Sequence, residues 1–290
     1  MRSWPARGPS GADARLVVHD WGGEGPAVLL AHPTGFHGRV WVPVARRLLA
    51  ASRRVLSFDF RGHGASSPSA SGYEWAGFAD DVLAVVEALG LAGDASLLPA
   101  GHSKGGAAFL LAEAAAPGTF ARIWCYEPIV VPGDPVRLGA DDALVAGARR
   151  RREQWPSRDA AYAAFASRPP LDVLDRDALR AYVDHGLRDA DDGDGVVLAC
   201  RPADEAEMYE RRFEHELWAR LPEITCPVRV VCGDATDAMT PRLCERVVQR
   251  LPDATLEVWP DRGHFGPLED PAAAAESILG FSTTSRGEHP

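Results

Sequence analysis

The sequence predicts an α/β fold: a mainly parallel sheet with helices on both faces and a helical block inserted in it. Three observations carry this expectation. Continuous apolar runs of strand length alternate with segments whose apolar residues recur at helical spacing. A Gly-x-Ser-x-Gly pattern, Gly101 to Gly105, lies where one such run meets the helix after it. From about 131 to 221 the alternation gives way to mostly helical patterns.

Taken in order, Leu16 to Trp21 alternates like an edge strand, and Gly22 to Pro26 reads as a turn. Ala27 to Ala31 is a continuous apolar run, hence a buried strand, and it ends in His32-Pro33-Thr34-Gly35. Arg53 to Phe58 is a second buried strand, ending in Asp59-Phe60-Arg61-Gly62-His63-Gly64. Phe78 to Leu89 has helical spacing and Gly90 closes it. Leu97 to Ala100 leads into the Gly-x-Ser-x-Gly turn, and the alanine-rich segment Gly106 to Ala116 is the helix after it. Ala121 to Tyr126 is the next strand, followed by Glu127-Pro128.

Within the block, Asp141 to Trp155, Asp159 to Ser167, Asp175 to Leu187 and Pro202 to Arg220 read as helices, and only Val196 to Cys200 looks strand-like. Val228 to Cys232 resumes the sheet, Leu243 to Arg250 is a helix, and Thr255 to Trp259 is a last strand running into Asp261-Arg262-Gly263-His264. The expected organisation is a core of residues 14–130 and 222–281, a helical cap of residues 131–221, and two disordered ends, a leader of residues 1–13 and a tail of residues 282–290.

Composition narrows the function. Of the 290 residues, 46% are hydrophobic and 25% charged, ordinary for a soluble globular protein. The net charge of −10, with no Lys/Arg stripe interleaved with aromatics, argues against nucleic-acid binding. Arg149 to Arg152 is the only basic run and reads as a solvated helix face. Five cysteines without a C-x-x-C pair suggest reduced thiols in a cytoplasmic protein. No histidine pair has metal-ligand spacing, so neither a metal nor a cofactor is expected. No apolar stretch reaches the length of a membrane span, and the N-terminus lacks the apolar core of a signal peptide. The oligomeric state stays open.

The chemistry centres on Ser103. Its hydroxyl must stand on a turn sharp enough to expose Oγ, and such a turn leaves no room for side chains at 101 and 105. A serine hydroxyl is a weak nucleophile and needs a neighbouring base to take its proton. His264, between Gly263 and Gly266 after the last strand, has the residue type suited to give and take that proton.

From about residue 14 to 281 the chain resembles an α/β-hydrolase-fold protein. The resemblance rests on HPTG, DFRGHGASS, GHSKGG, GDATDAMTP and GHFGPLEDP, which occur in the family's order. It implies a Ser–Asp–His triad of Ser103, Asp237 and His264. Asp237 stands in the usual place relative to Pro241, although the loop from Gly233 is one residue longer than the commonest pattern. Glu127, after the preceding sheet strand, is the alternative acid, and Asp234 a third candidate. The oxyanion hole implied is the backbone N–H of Lys104 with that of Thr34, since Pro33 has none to give; Gly35 is the reserve.

The Lys104 ammonium is expected in solvent or paired with a carboxylate. Asp59, Arg61, Gly62 and Gly64 are expected to shape a loop, and His63 and His102 to make structural hydrogen bonds. His185 and His215 would lie on cap helices. Tyr162, Phe165, Tyr182, Tyr209, Phe213 and Trp218 offer aromatic area for a pocket wall or for packing the cap down. The expected activity is cofactor-free hydrolysis of a small-molecule carboxylic ester through an acyl-enzyme. Thioester, lactone, amide or C–C hydrolysis, perhydrolysis, acyl transfer, or a non-catalytic small-molecule receptor are the alternatives.

Overall fold

The structure, a computed structural model, describes residues 2–7, 15–191 and 193–282. The chain begins with β1 (Arg2–Arg7), β2 (Arg15–Gly22), β3 (Ala27–Ala31), α1 (Val42–Ala50), β4 (Arg54–Asp59) and α2 (Trp75–Ala88). It continues through β5 (Leu98–His102), α3 (Lys104–Ala115) and β6 (Ile123–Tyr126). There it leaves the main sheet for α4 (Ala143–Arg149), β7 (Gln154–Trp155), α5 (Arg158–Phe165), α6 (Arg176–Gly186), β8 (Leu187–Asp189), β9 (Val196–Leu198), α7 (Pro202–Glu210) and α8 (Leu217–Arg220). It returns with β10 (Val228–Gly233), α9 (Pro241–Arg250), β11 (Ala254–Trp259), α10 (Gly266–Glu269) and α11 (Pro271–Ser282).

The main sheet runs β1-β2-β4-β3-β5-β6-β10-β11. β1–β2 and β2–β4 pair antiparallel, and every other neighbouring pair is parallel. Parallel strands buried on both faces need apolar side chains on both. Their alternation splits accordingly. Leu29, Ala31, Leu56 and Phe58 pack on the face of α2 and α3, whereas Val28, Leu30, Val55 and Leu98 pack on the face of α1 and α11. The order also places β5, β6, β10 and β11 side by side, so the loops at their carboxyl ends meet at one edge, where open α/β sheets keep their sites.

Several expectations need correction. Arg2–Arg7 is a strand paired with β2 in register from Arg2↔Asp20 to Arg7↔Arg15, not part of a disordered leader. The outer edge of β2 offers unpaired backbone groups there, and Pro5 is tolerated because an edge strand need not donate on its outer side. The rest of that leader, and residues 283–290 of the tail, lie outside the described residues.

The expected helix 141–155 ends at Arg149, and Gln154–Trp155 joins a three-stranded antiparallel sheet with β9 and β8. The expected helix 202–220 is two, α7 and α8. Helix starts follow capping chemistry: the Asp142, Ser157 and Asp175 side chains accept backbone N–H groups of α4, α5 and α6. Among the described residues, no helix is long and apolar enough to cross a membrane.

Candidate active site

Ser103 sits between β5 and α3 with φ 54° and ψ −115°, a conformation costly for a residue with a Cβ. The flanking glycines make that turn fit. A Cβ on Gly101 would lie 2.5 Å from the Gly105 carbonyl carbon, and one on Gly105 2.5 Å from the Ala31 oxygen. The Ser103 N–H donates to the Tyr126 oxygen at 2.8 Å, tying the turn to the neighbouring strand.

His264, in the loop after β11, places Nε2 3.2 Å from Ser103 Oγ. Its Nδ1–H donates to Glu127 Oε2 at 2.6 Å. With Nδ1 carrying the proton, Nε2 is the free acceptor for the serine hydroxyl. The ring is held further by its own main chain: His102 Nε2–H donates to the His264 oxygen at 2.7 Å. The Tyr126 hydroxyl donates to the Gly263 oxygen at 2.7 Å.

The acid against His264 is therefore Glu127, the alternative of the sequence reading, and not Asp237. Glu127 directly follows β6, is fully buried, and has a positive φ of 43°. Its Oε1 accepts the Gly233 N–H at 3.1 Å, and its Oε2 also accepts the Thr236 hydroxyl at 2.9 Å. The loop after β10 thus contributes a backbone N–H and a hydroxyl to the acid instead of a carboxylate. Asp237 is exposed and makes no hydrogen bond to His264; Asp234, also exposed, accepts the Asp261 N–H at 2.7 Å. Strand order permits this: only β10 separates β6 from β11, so a side chain at the end of β6 can reach the loop that carries the histidine. Thr236, which completes this acid's shell, carried no signal in the sequence beyond its loop.

At the other side of Ser103, the Gly35 N–H donates to His63 Nε2 at 3.2 Å and is not free. The His63 Nδ1–H donates to the Arg61 oxygen at 2.9 Å, which fixes Nε2 as acceptor. His32 bridges the ends of β3 and β4, its Nδ1–H donating to the Pro33 oxygen and its Nε2 accepting the Phe60 N–H. Lys104 follows Ser103 at the start of α3, and Thr34 lies in the loop after β3 between Pro33 and Gly35, whose oxygen and N–H are already committed. Asp59 accepts N–H groups of Gly38 and Ala65, and Arg61 makes a bidentate buried pair with Asp81, so both shape the loop.

Lys104 departs from expectation. Its ammonium is neither in solvent nor hydrogen-bonded to a carboxylate. The residue is 2% exposed, with Nζ 3.2 Å from His63 Nε2 and above the Phe60 and Phe78 rings at 4.5 and 4.6 Å. Burial pushes its pKa down to about 7. The helix α3 is buried from Lys104 to Ala114, so this side chain has no open face to turn to.

Above the loops of Gly35 and His264 lies a cavity of about 440 Å³, with Phe36, Trp155, Phe165, Tyr182, Tyr209 and Phe265 among its walls. Of the aromatic candidates, Phe165, Tyr182 and Tyr209 line it, whereas Trp218 packs against the sheet core and under Arg246 and Arg250. Arg151 is not on a solvated face: it turns inward, pairs with the buried Glu205, and donates to the Tyr182 hydroxyl at 2.6 Å. A Cβ on Gly35 would come within 2.6 Å of Glu205 Oε1, so this ion pair rests directly on the loop beside Ser103.

A profile of the Alpha/beta hydrolase family matches residues 28–277. The candidate carbamate hydrolase RutD of Variovorax paradoxus is 30% identical over 282 residues, covering 89% of this chain and 92% of that protein. The 2-(acetamidomethylene)succinate hydrolase of Mesorhizobium japonicum is 26% identical over 263 residues, 89% of this chain and 88% of its own. The solved structure of E-2-(acetamidomethylene)succinate hydrolase shares the fold, with a TM-score of 0.80 at 24% identity over 98% of this chain and all of that one.

Two outcomes are expected. With a chromogenic short-chain ester as probe, Glu127→Gln lowers kcat by up to about 10⁴-fold, as loss of a triad acid does, while Asp237→Asn leaves it near wild type. The second concerns Lys104, whose folded pKa is depressed. Between about 7 and the ordinary lysine value the unfolded chain carries the extra proton, so stability rises with pH across that window. Lys104→Met therefore exceeds wild type in urea stability most at pH 6.5, and the gap narrows toward pH 10. A gap independent of pH would contradict the buried ammonium.

Proposed function

We propose that this chain, which belongs to the α/β-hydrolase family, is a serine hydrolase cleaving an acyl C–N bond of amide or carbamate type in a small molecule. Hydrolase chemistry on small molecules follows from the family and its relatives. The observation that carries the mechanism is the unbroken line Ser103 Oγ, His264 Nε2, His264 Nδ1, Glu127 Oε2.

Ser103 Oγ attacks the carbonyl carbon while His264 Nε2 takes its proton, and Glu127 steadies the imidazolium through Nδ1–H. The oxyanion rests on the N–H groups of Thr34 and Lys104. His264 returns the proton to the leaving nitrogen, the C–N bond breaks, and the acyl group stays on Ser103. Water, deprotonated by the same His264, releases the acid and regenerates the serine.

The choice of bond is supported by the names of two relatives that match along nearly their whole lengths, a candidate carbamate hydrolase and an acetamidomethylene-succinate hydrolase. The carboxylic ester of the sequence expectation would pass through the same acyl-enzyme, with a better leaving group. In this reading residues 131–221 are the cap, and Phe165, Tyr182 and Tyr209 line the substrate cavity together with Phe36 and Phe265, the residues next to Gly35 and His264.

A panel of matched N-acyl amides, carbamates and esters tests the proposal, with trapped adducts located by mass spectrometry. Amides or carbamates are expected to turn over and to acylate Ser103, with both lost in Ser103→Ala. Turnover of esters alone would overturn the choice of bond, and no adduct on any substrate would favour a receptor over an enzyme.

A further inference from the structure

The basic run left aside by the sequence reading, Arg149 to Arg152, gains a purpose from where two of its members sit. Arg151 and Arg152 both line the 440 Å³ cavity, and Arg168 joins them from the loop after α5. Against these three guanidinium groups the same wall carries one carboxylate, Glu205. That carboxylate is already engaged by Arg151, whose other terminal nitrogen donates to Tyr182.

Arg152 and Arg168 are not neutralised in this way. The Arg152 guanidinium carbon lies over the Trp155 ring, 4.3 Å from its centroid, and its Nε donates to the Gln154 oxygen at 2.8 Å, while its two terminal nitrogens pair with no carboxylate. Arg168 has no side-chain hydrogen bond or ion pair among the described residues. Both residues are exposed and line a cavity whose other walls are aromatic and aliphatic. Carboxylates outnumber cations in this chain, whose net charge is −10. An excess of positive charge gathered in one cavity, whose walls include the chain neighbours of Gly35 and His264, therefore has a direction.

We infer that this cavity recognises a carboxylate, and that the substrate is a small organic anion whose carboxylate is held by Arg152 and Arg168 while its scissile acyl group lies toward Ser103. The inference rests on the proposed hydrolysis, since it names that reaction's substrate class. A planar guanidinium presents paired N–H donors matched to a carboxylate, and the contact of Arg152 with Trp155 and its Nε bond to Gln154 hold the group in place before binding. The apolar wall then receives the rest of the molecule. The Arg151–Glu205–Tyr182 network holds the wall and the Gly35 loop together, and its own charges are satisfied within the protein.

Binding to the Ser103→Ala variant reads recognition without turnover. The probes are hippurate, phenylacetate and glutarate, each titrated calorimetrically beside its neutral amide. At least one carboxylate is expected to bind about tenfold more tightly than its amide, the worth of one charge-assisted contact. The preference should weaken with added salt. It should also shrink in Arg168→Gln, a change at an exposed and unpaired side chain, and vanish in the double variant with Arg152→Gln. No carboxylate preferred to its amide, or a preference that survives both substitutions, would overturn the inference. Failure to cleave amides and carbamates would overturn the reaction and leave this binding result standing.

Discussion

A carboxylate removed from water has to be saturated with hydrogen bonds, and Glu127, fully buried at the end of β6, is the point where that requirement organises the site. Its two oxygens take the Gly233 N–H, the Thr236 hydroxyl and the His264 Nδ1–H. One side chain thereby fastens the loops after β6, β10 and β11 to each other. The imidazole that results can face only Ser103, which the turn after β5 presents in a left-handed conformation that glycines 101 and 105 permit. Ser103 and Glu127 are two of the four non-glycine residues with positive φ among the described residues. The strain falls on the residues that must point inward from strand ends.

How much of this was legible follows from what each part depends on. The parallel sheet, Ser103 and His264 were readable because they rest on local patterns: apolar runs of strand length, and glycines where backbones come too close for a Cβ. The acid was not, because Asp237 and Glu127 both stand after sheet strands and only the three-dimensional approach to His264 separates them. The hydroxyl of Thr236 occupying one Glu127 oxygen has no sequence signature at all. Lys104 misled for a related reason. Its residue type says surface, but α3 is buried from Lys104 to Ala114, and the ammonium ends among His63, Phe60 and Phe78. The inward turn of half-buried Arg151 was invisible because a run of four arginines looks like a solvated face until the chain bends after Arg149.

The division of labour in the fold is then physical. Core loops carry the proton path and the committed hydrogen bonds around Ser103, and the segment between β6 and β10 supplies the cavity wall. Arg151 and Glu205 link the two, since their ion pair lies against Gly35. Under the proposed function, a change in the wall would alter which molecule is held without touching the line from Glu127 to Ser103. The cationic excess in that wall sets it apart from the acidic surface expected of a chain with net charge −10.

The central claim, that Glu127 is the partner of His264, is tested most directly by the imidazole proton between them. The short Nδ1–H to Oε2 bond, 2.6 Å, predicts a strongly downfield N–H resonance in the proton NMR spectrum of the protein in water. The account predicts that this resonance is abolished or moved far upfield in Glu127→Gln and is unchanged in Asp237→Asn. A resonance indifferent to Glu127→Gln and lost in Asp237→Asn would contradict it.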